Sequence, residues 1–174
     1  ETPNASAGLG YVKTTMTGAN LNTFTVDKTS PGTSWGSVYA QFTQRTTDIA
    51  DASMGLSVKR ELLYDGELKV GSKVKVRITI TADRDYDFVQ VVDKRAACME
   101  PANQLTGYRG GFYCSPRDNA TYYYADMMPK GTHVVESTFY VDRPGTFTTG
   151  TCTVQCAYSP AYMARTKALT ITIK

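Results

Sequence analysis

A single histidine, a single tryptophan and only four cysteines stand in a chain of 174 residues. One imidazole starves the acid–base chemistries that lean on histidine, and no G-x-S-x-G element supplies a nucleophile elbow. No apolar run approaches the roughly 18 residues that a transmembrane helix needs. An excess of one charge is also missing. The 19 Lys and Arg against 16 Asp and Glu leave a net +3. These cations are spread along the chain rather than gathered in one patch, which excludes a strongly basic nucleic-acid binder. Sustained 3.6-residue periodicity is absent too, so a helical bundle or coiled coil is excluded. The nearest approach, within 46–52, reads as loop. The chain opens on Glu1 rather than Met, as a mature or excised fragment would.

What is present is threonine, tyrosine and valine in alternation, the composition of pleated, half-buried surfaces. Lys73 to Ala82 reads KVKVRITITA. Val74, Val76, Ile78 and Ile80 take one face and Lys73, Lys75, Arg77 and Thr79 the other. That is a strand of an antiparallel sheet with one wet face. Leu169, Ile171 and Ile173 form a last strand. Val135, Phe139 and Val141 share a face with His133 and Ser137. Val38, Ala40 and Phe42 alternate, as do Leu56, Val58 and Leu62, and Phe88 to Val92 reads as a central strand. Asp65-Gly66, Pro129-Lys130-Gly131 and Arg143-Pro144-Gly145 supply the reversals between runs. Short strands at near-regular spacing predict an all-β antiparallel sandwich. Residues 1–33 differ: they are rich in Thr, Asn, Gly and Ser, with strands expected at Gly10–Met16 and Thr23–Lys28. They read as linker strands that pair with a neighbouring domain, and 34–174 as the sandwich.

Four residue groups invite a chemical reading. Asp83, Asp85 and Asp87 have the opening spacing of a calcium loop, but the sixth position is Phe88 rather than Gly and the twelfth Lys94 rather than Glu. A polar turn fits better, and nothing else asks for a metal or cofactor. Cys152 and Cys156 share one face of a strand about 13 Å apart, too far to bond to each other. Cys98 and Cys114 lie in loop-like sequence and could form a disulfide. The spacing of the four does not suit zinc. His133 follows a Pro-Lys-Gly turn and reads as structural or solvated rather than catalytic. Arg109 to Tyr113 and Tyr122-Tyr123-Tyr124 offer aromatic surface of the kind favoured at interfaces. This motivates an alternative reading of the chain as a free-standing carbohydrate- or cell-surface-binding module. A hydrolase would need Ser and a carboxylate beside His133.

The succession SWGSVYAQF (Ser34–Phe42), LSVKRELL, GSKVKVRITITADRDYDFVQVVDKRAACMEP and MMPKGTHVVESTFYVDRPGTFTTGTCTVQCAYSPAYMARTKALTITI resembles the C-terminal macroglobulin-like domain of bacterial alpha-2-macroglobulins over residues 33–174. The resemblance implies a macroglobulin-like sandwich, of immunoglobulin or fibronectin-like architecture, with an N-terminal strand appendage. It implies a non-catalytic domain of a large periplasmic or envelope-associated protease inhibitor, whose partners are other domains of the same polypeptide and, through the parent, target proteases. In that family the terminal domain packs on and shields a thioester-bearing domain. The residues that match the shielding motif are Tyr158, with Ala157 before it and Pro160 after it. The family commonly has Met where this chain has Ala157, and often Gly where it has Cys98.

Overall fold

The computed structural model describes residues 10, 13–18, 23, 25–29 and 31–174. The chain divides into two units, Glu1–Gln41 and Phe42–Lys174. In the first, none of the described residues is in a strand. The expected strands at 10–16 and 23–28 lie partly outside the described residues, and what is described of them is not strand. Residues 38–42, whose alternation also reads as a strand, form none. Trp35 is 95% exposed and Tyr39 88%, so these apolar groups find no cover, and alternation without a hydrogen-bonding neighbour does not make a strand.

The second unit is built almost wholly of antiparallel strands. They are β1 (Ala52–Met54), β2 (Leu56–Leu63), β3 (Lys73–Ala82), β4 (Tyr86–Lys94), β5 (Met99–Pro101), β6 (Gly107–Arg109) and β7 (Phe112–Pro116). The chain goes on through β8 (Ala120–Met128), β9 (Gly131–Val141), β10 (Gly145–Thr148), β11 (Cys152–Cys156), β12 (Met163–Thr166) and β13 (Thr170–Ile173). Among the described residues the one helical element is a 3-10 turn at Thr46–Asp48, inside the stretch expected as loop. No helix of the described residues is long and apolar enough to cross a membrane.

The ladder runs β5-β9-β3-β2-β1-β12-β11-β4-β8-β7-β6, with β10-β13 as a separate pair. The short β1 joins the two halves, pairing with β2 through Met54 and Leu56 and with β12 through Ala52 to Met54. Side chains of β2, β3 and β9 meet those of β4, β8 and β11 in one core. The result is the all-β sandwich that the alternation predicts. Val74, Val76, Ile78 and Ile80 are at most 2% exposed, and each contributes roughly 1.5–3 kcal/mol by leaving water. Tyr123 reaches from β8 across to Ser137 on β9, hydroxyl to hydroxyl at 2.7 Å, which ties the two layers and satisfies a buried phenol.

One buried cation joins four parts of the chain. Arg60 on β2 donates to Asp93 Oδ1 on β4 at 2.9 Å, with both side chains at most 2% exposed. It also donates to Thr149 Oγ1 and to the carbonyls of Lys94, Gly150 and Lys167. Burial pushes the Asp93 carboxyl above its ordinary range, against the pull of Arg60.

Candidate functional site

At one end of the sandwich the β3–β4 turn, the start of β4 and the β11–β12 loop come together around an open cavity of about 390 Å³. The alternation of β4 breaks here. Val89, Val91 and Asp93 point inward, so Asp87 should join them and Tyr86 should not. Instead Tyr86 is 4% exposed and Asp87 is exposed. The cause is Phe88, at φ 53, the one positive-φ residue other than glycine in the described backbone. A residue in this left-handed region turns the strand over by one side chain. The inversion frees Asp87, whose carbonyl accepts from Cys156 Sγ at 3.1 Å.

Buried Tyr86 lies against Tyr162, centroids 5.4 Å apart, and its phenol donates to Asp83 Oδ1 at 2.6 Å. Arg84 forks onto the same carboxylate through two bonds of 3.0 Å and lies 5.4 Å over the Tyr162 ring. These donors, Arg84 first and Tyr86 second, hold Asp83 down at about 2. Burial, with the Asp83 carboxylate next, pushes the Tyr86 phenol up to about 12. Gly55 closes the group from the β1–β2 turn at φ 72. A Cβ there would collide with the Tyr86 hydroxyl and the Tyr162 ring.

Two of the three aspartates that share calcium-loop spacing commit their carboxylates separately, while Asp87 contributes its backbone carbonyl. Asp83 serves Arg84 and Tyr86, Asp85 Oδ1 caps the Lys130 amide at 2.7 Å, and the Asp87 carbonyl serves Cys156. Among the described residues no group of His, Cys, Asp and Glu could hold a metal ion.

The Ala157–Tyr162 loop carries the residues that the sequence singles out. The Ala157 amide donates to the Phe88 carbonyl at 2.9 Å, and the Cys156 amide on β11 donates to the Tyr162 carbonyl at 3.1 Å. Pro160 offers its carbonyl to the Gln155 side chain at 3.0 Å. So the loop is pinned at both ends. Between these anchors Tyr158 is 80% exposed, its ring perpendicular to that of Phe88 with centroids 5.1 Å apart. Tyr158, Ala157 and Pro160 are marked by the sequence motif, whereas Phe88, Arg84 and Tyr162 join them only through the fold.

The remaining sequence candidates lie elsewhere. Cys98, Cys114, Cys152 and Cys156 are all buried free thiols in this structure. Cys98 precedes β5 and Cys114 sits on β7, and burial raises the thiol pKa of both. His133 is half-buried on β9, its Nε2 2.7 Å from the Pro129 carbonyl oxygen. Tyr108, Tyr113 and Tyr124 expose aromatic surface along β6, β7 and β8, with Tyr108 and Tyr113 edge to face and Tyr122 stacked beside Tyr124. Tyr123 is the inward member of its triplet.

Comparison with known proteins gives the fold a family. The family model of the bacterial alpha-2-macroglobulin MG10 domain matches residues 43–161. Among solved structures, Salmonella alpha-2-macroglobulin reacted with methylamine is similar at 22% identity and a TM-score of 0.63, over 73% of this chain and 10% of that one. Trypsin-activated alpha-2-macroglobulin from Escherichia coli is similar at 17% identity and a TM-score of 0.65, over 72% and 11%. A native Escherichia coli fragment spanning domain MG7 to the C-terminus gives 18% and 0.64, over 74% and 25%. Thus the chain spans about a tenth of the length of the first of these relatives. No curated protein matches.

Proposed function

This chain belongs to the bacterial alpha-2-macroglobulin MG10 domain family, and on that premise we propose that it is a non-catalytic, C-terminal part of a larger protease-trapping polypeptide. Its task is to dock on the domain of that polypeptide that carries the reactive thioester and to keep water from it. The supporting observation is Tyr158: 80% exposed, yet held on a loop pinned by backbone bonds at Ala157 and Tyr162. An exposed tyrosine on an anchored loop offers a large amphipathic contact area at small entropy cost. A phenol also has the right chemistry for the task. Its ring excludes water from an acyl group, and its O–H can bond a polar neighbour as the two surfaces close. The Ala157 side chain, smaller than the Met common in the family, leaves Tyr158 as the main apolar contributor of the Ala157-Tyr158-Ser159-Pro160 turn. In this reading the parent works outside the cytoplasm, in the periplasm or at the envelope.

The test is Tyr158→Ala in the intact parent. The variant should react faster with a small amine before any protease is added, and should trap less protease afterwards. Unchanged amine reactivity together with unchanged trapping would remove the shielding role.

A further inference from the structure

Phe88 violates the rules of its own strand. A bulky L-residue at φ 53 is strained and persists only where its surroundings over-determine it. Burial offsets only part of that strain, because Phe88 is 50% exposed. Glycine or asparagine would hold the same conformation with less strain. What the phenylalanine adds is a ring outside the sheet, edge to face with Tyr158 at 5.1 Å and 90°. The same residue gives its carbonyl to the Ala157 amide at 2.9 Å. One residue thus grips the turn twice, by the backbone before Tyr158 and by the ring of Tyr158 itself. Tyr158 has no hydrogen bond of its own among those described, and the Phe88 ring is the aromatic contact recorded for it.

We propose that Phe88 is a positioning residue: its left-handed backbone and exposed ring hold Tyr158 in the outward orientation that the neighbouring domain receives. The proposal rests on the reading of Tyr158 as the docking residue. Pre-orientation is the physical gain, because a side chain already held in its bound rotamer loses less entropy when a surface closes on it. The Tyr86 inversion belongs to the same device. By turning Tyr86 inward and Asp87 outward, Phe88 also lets the Asp87 carbonyl receive Cys156 Sγ, which steadies the strand from which the Tyr158 loop departs.

The experiment uses the parent polypeptide in four forms: unaltered, Phe88→Asn, Phe88→Tyr and Tyr158→Ala. Peptide-resolved hydrogen–deuterium exchange is read over residues 157–162 and over the surface of the neighbouring domain, with the thermal midpoint as a fold control. Asn favours the left-handed conformation and keeps the carbonyl, so Phe88→Asn should leave the midpoint unchanged or higher. Exchange over 157–162 should nevertheless rise by about two- to tenfold, the value of one aromatic pair. The same variant should expose the neighbouring surface that Tyr158→Ala exposes, and Phe88→Tyr should restore both signals. A merely structural Phe88 would move the midpoint and exchange throughout the sandwich, not the 157–162 peptide alone. If Tyr158→Ala exposes the neighbour but Phe88→Asn changes neither signal, the positioning role is overturned and the docking role stands. If Tyr158→Ala exposes nothing, docking fails, and the 157–162 signal alone then decides whether Phe88 holds the loop. Should Phe88→Asn fold poorly, Phe88→Gly takes its place with the same expected signals.

Discussion

Removing the Arg60 guanidinium, by Arg60→Met, should be among the most damaging single changes available to this domain. The side chain makes five bonds, and the structure says which of its partners would be stranded. The Lys94 carbonyl also accepts from the Gly150 amide at 3.1 Å. The Gly150 carbonyl keeps a bond from Thr149 Oγ1 at 2.9 Å, and Thr149 Oγ1 keeps the Leu169 amide. Two groups lose the bonds described for them: the Lys167 carbonyl and the 2%-exposed Asp93 carboxylate. Stranding a buried charge costs about 3–5 kcal/mol, against a total stability of about 5–15 kcal/mol. For a domain this size the thermal midpoint should fall by roughly 6–20 °C. The loss also depends on pH. Burial already raises the Asp93 carboxyl, and without Arg60 it rises further. A folded-state pKa above the unfolded one gives stability below the unfolded value of 3.8 and loses it as pH climbs through the folded value. Arg60→Met should therefore lag the unaltered chain less at about pH 4 than at pH 7. Replacing both partners, Arg60→Met with Asp93→Leu, should cost much less than the two single changes summed, since no charge is left buried. Urea unfolding of the four proteins decides it. A single-variant cost under about 1 kcal/mol, or plain additivity of the double variant, would refute the reasoning.

The Asp83–Tyr86 bond should show two pH limits. Asp83 is held at about 2 against 3.8, so its contribution exists above about 3.8 and is lost as pH falls toward 2. Tyr86 is raised from 10 to about 12, so its contribution exists below about 10 and is lost as pH rises toward 12. The gap in thermal midpoint between the unaltered chain and Tyr86→Phe should be flat between these limits and narrow beyond both; a gap that ignores acid would sink the assignment. All four cysteines are buried free thiols in the structure, so a thiol reagent should label none quickly in the native chain and four after unfolding. A mass deficit of two hydrogens under non-reducing conditions, mapped by peptide digestion to Cys98 and Cys114, would instead show that bridge, which would add about 3 kcal/mol by closing its loop.

Wherever one parity rule held from end to end, the fold was legible before any coordinates. β3 is the plain case: four aliphatics inward, charges and Thr outward, a strand in the right place and facing the right way. The rule misled at residues 38–42, because alternation reports a surface wanting a neighbour and not whether this chain provides one. It fell silent at β4, where DYDFVQVV carries apolar residues of both parities. Tyr86 and Phe88 belong to one set and Val89 and Val91 to the other, and the clash between the sets at Phe88–Val89 marks the inverted residue. The buried ion pair left a similar trace. Arg60 stands on the inward parity of Leu56, Val58 and Leu62, and Asp93 on that of Val89 and Val91. Opposite charges on two core faces can be tolerated only if they meet.

The candidate site was half legible for a related reason. Tyr158 stood out because a motif surrounds it, whereas Phe88 is 70 positions earlier and acts through a backbone torsion that no composition records. Sheet pairing between β4 and β11, in register at Val89 and Cys156, is what brings the two together. The strands are fixed by burial on both sides of that pair, so the distance from Phe88 to Tyr158 is set by the core and not by the loop. A loop alone would leave an exposed tyrosine to sample its rotamers. A loop leaving a rigid strand beside a strained aromatic presents it in one orientation, and such an aromatic can close on a neighbouring surface with little further entropy to lose.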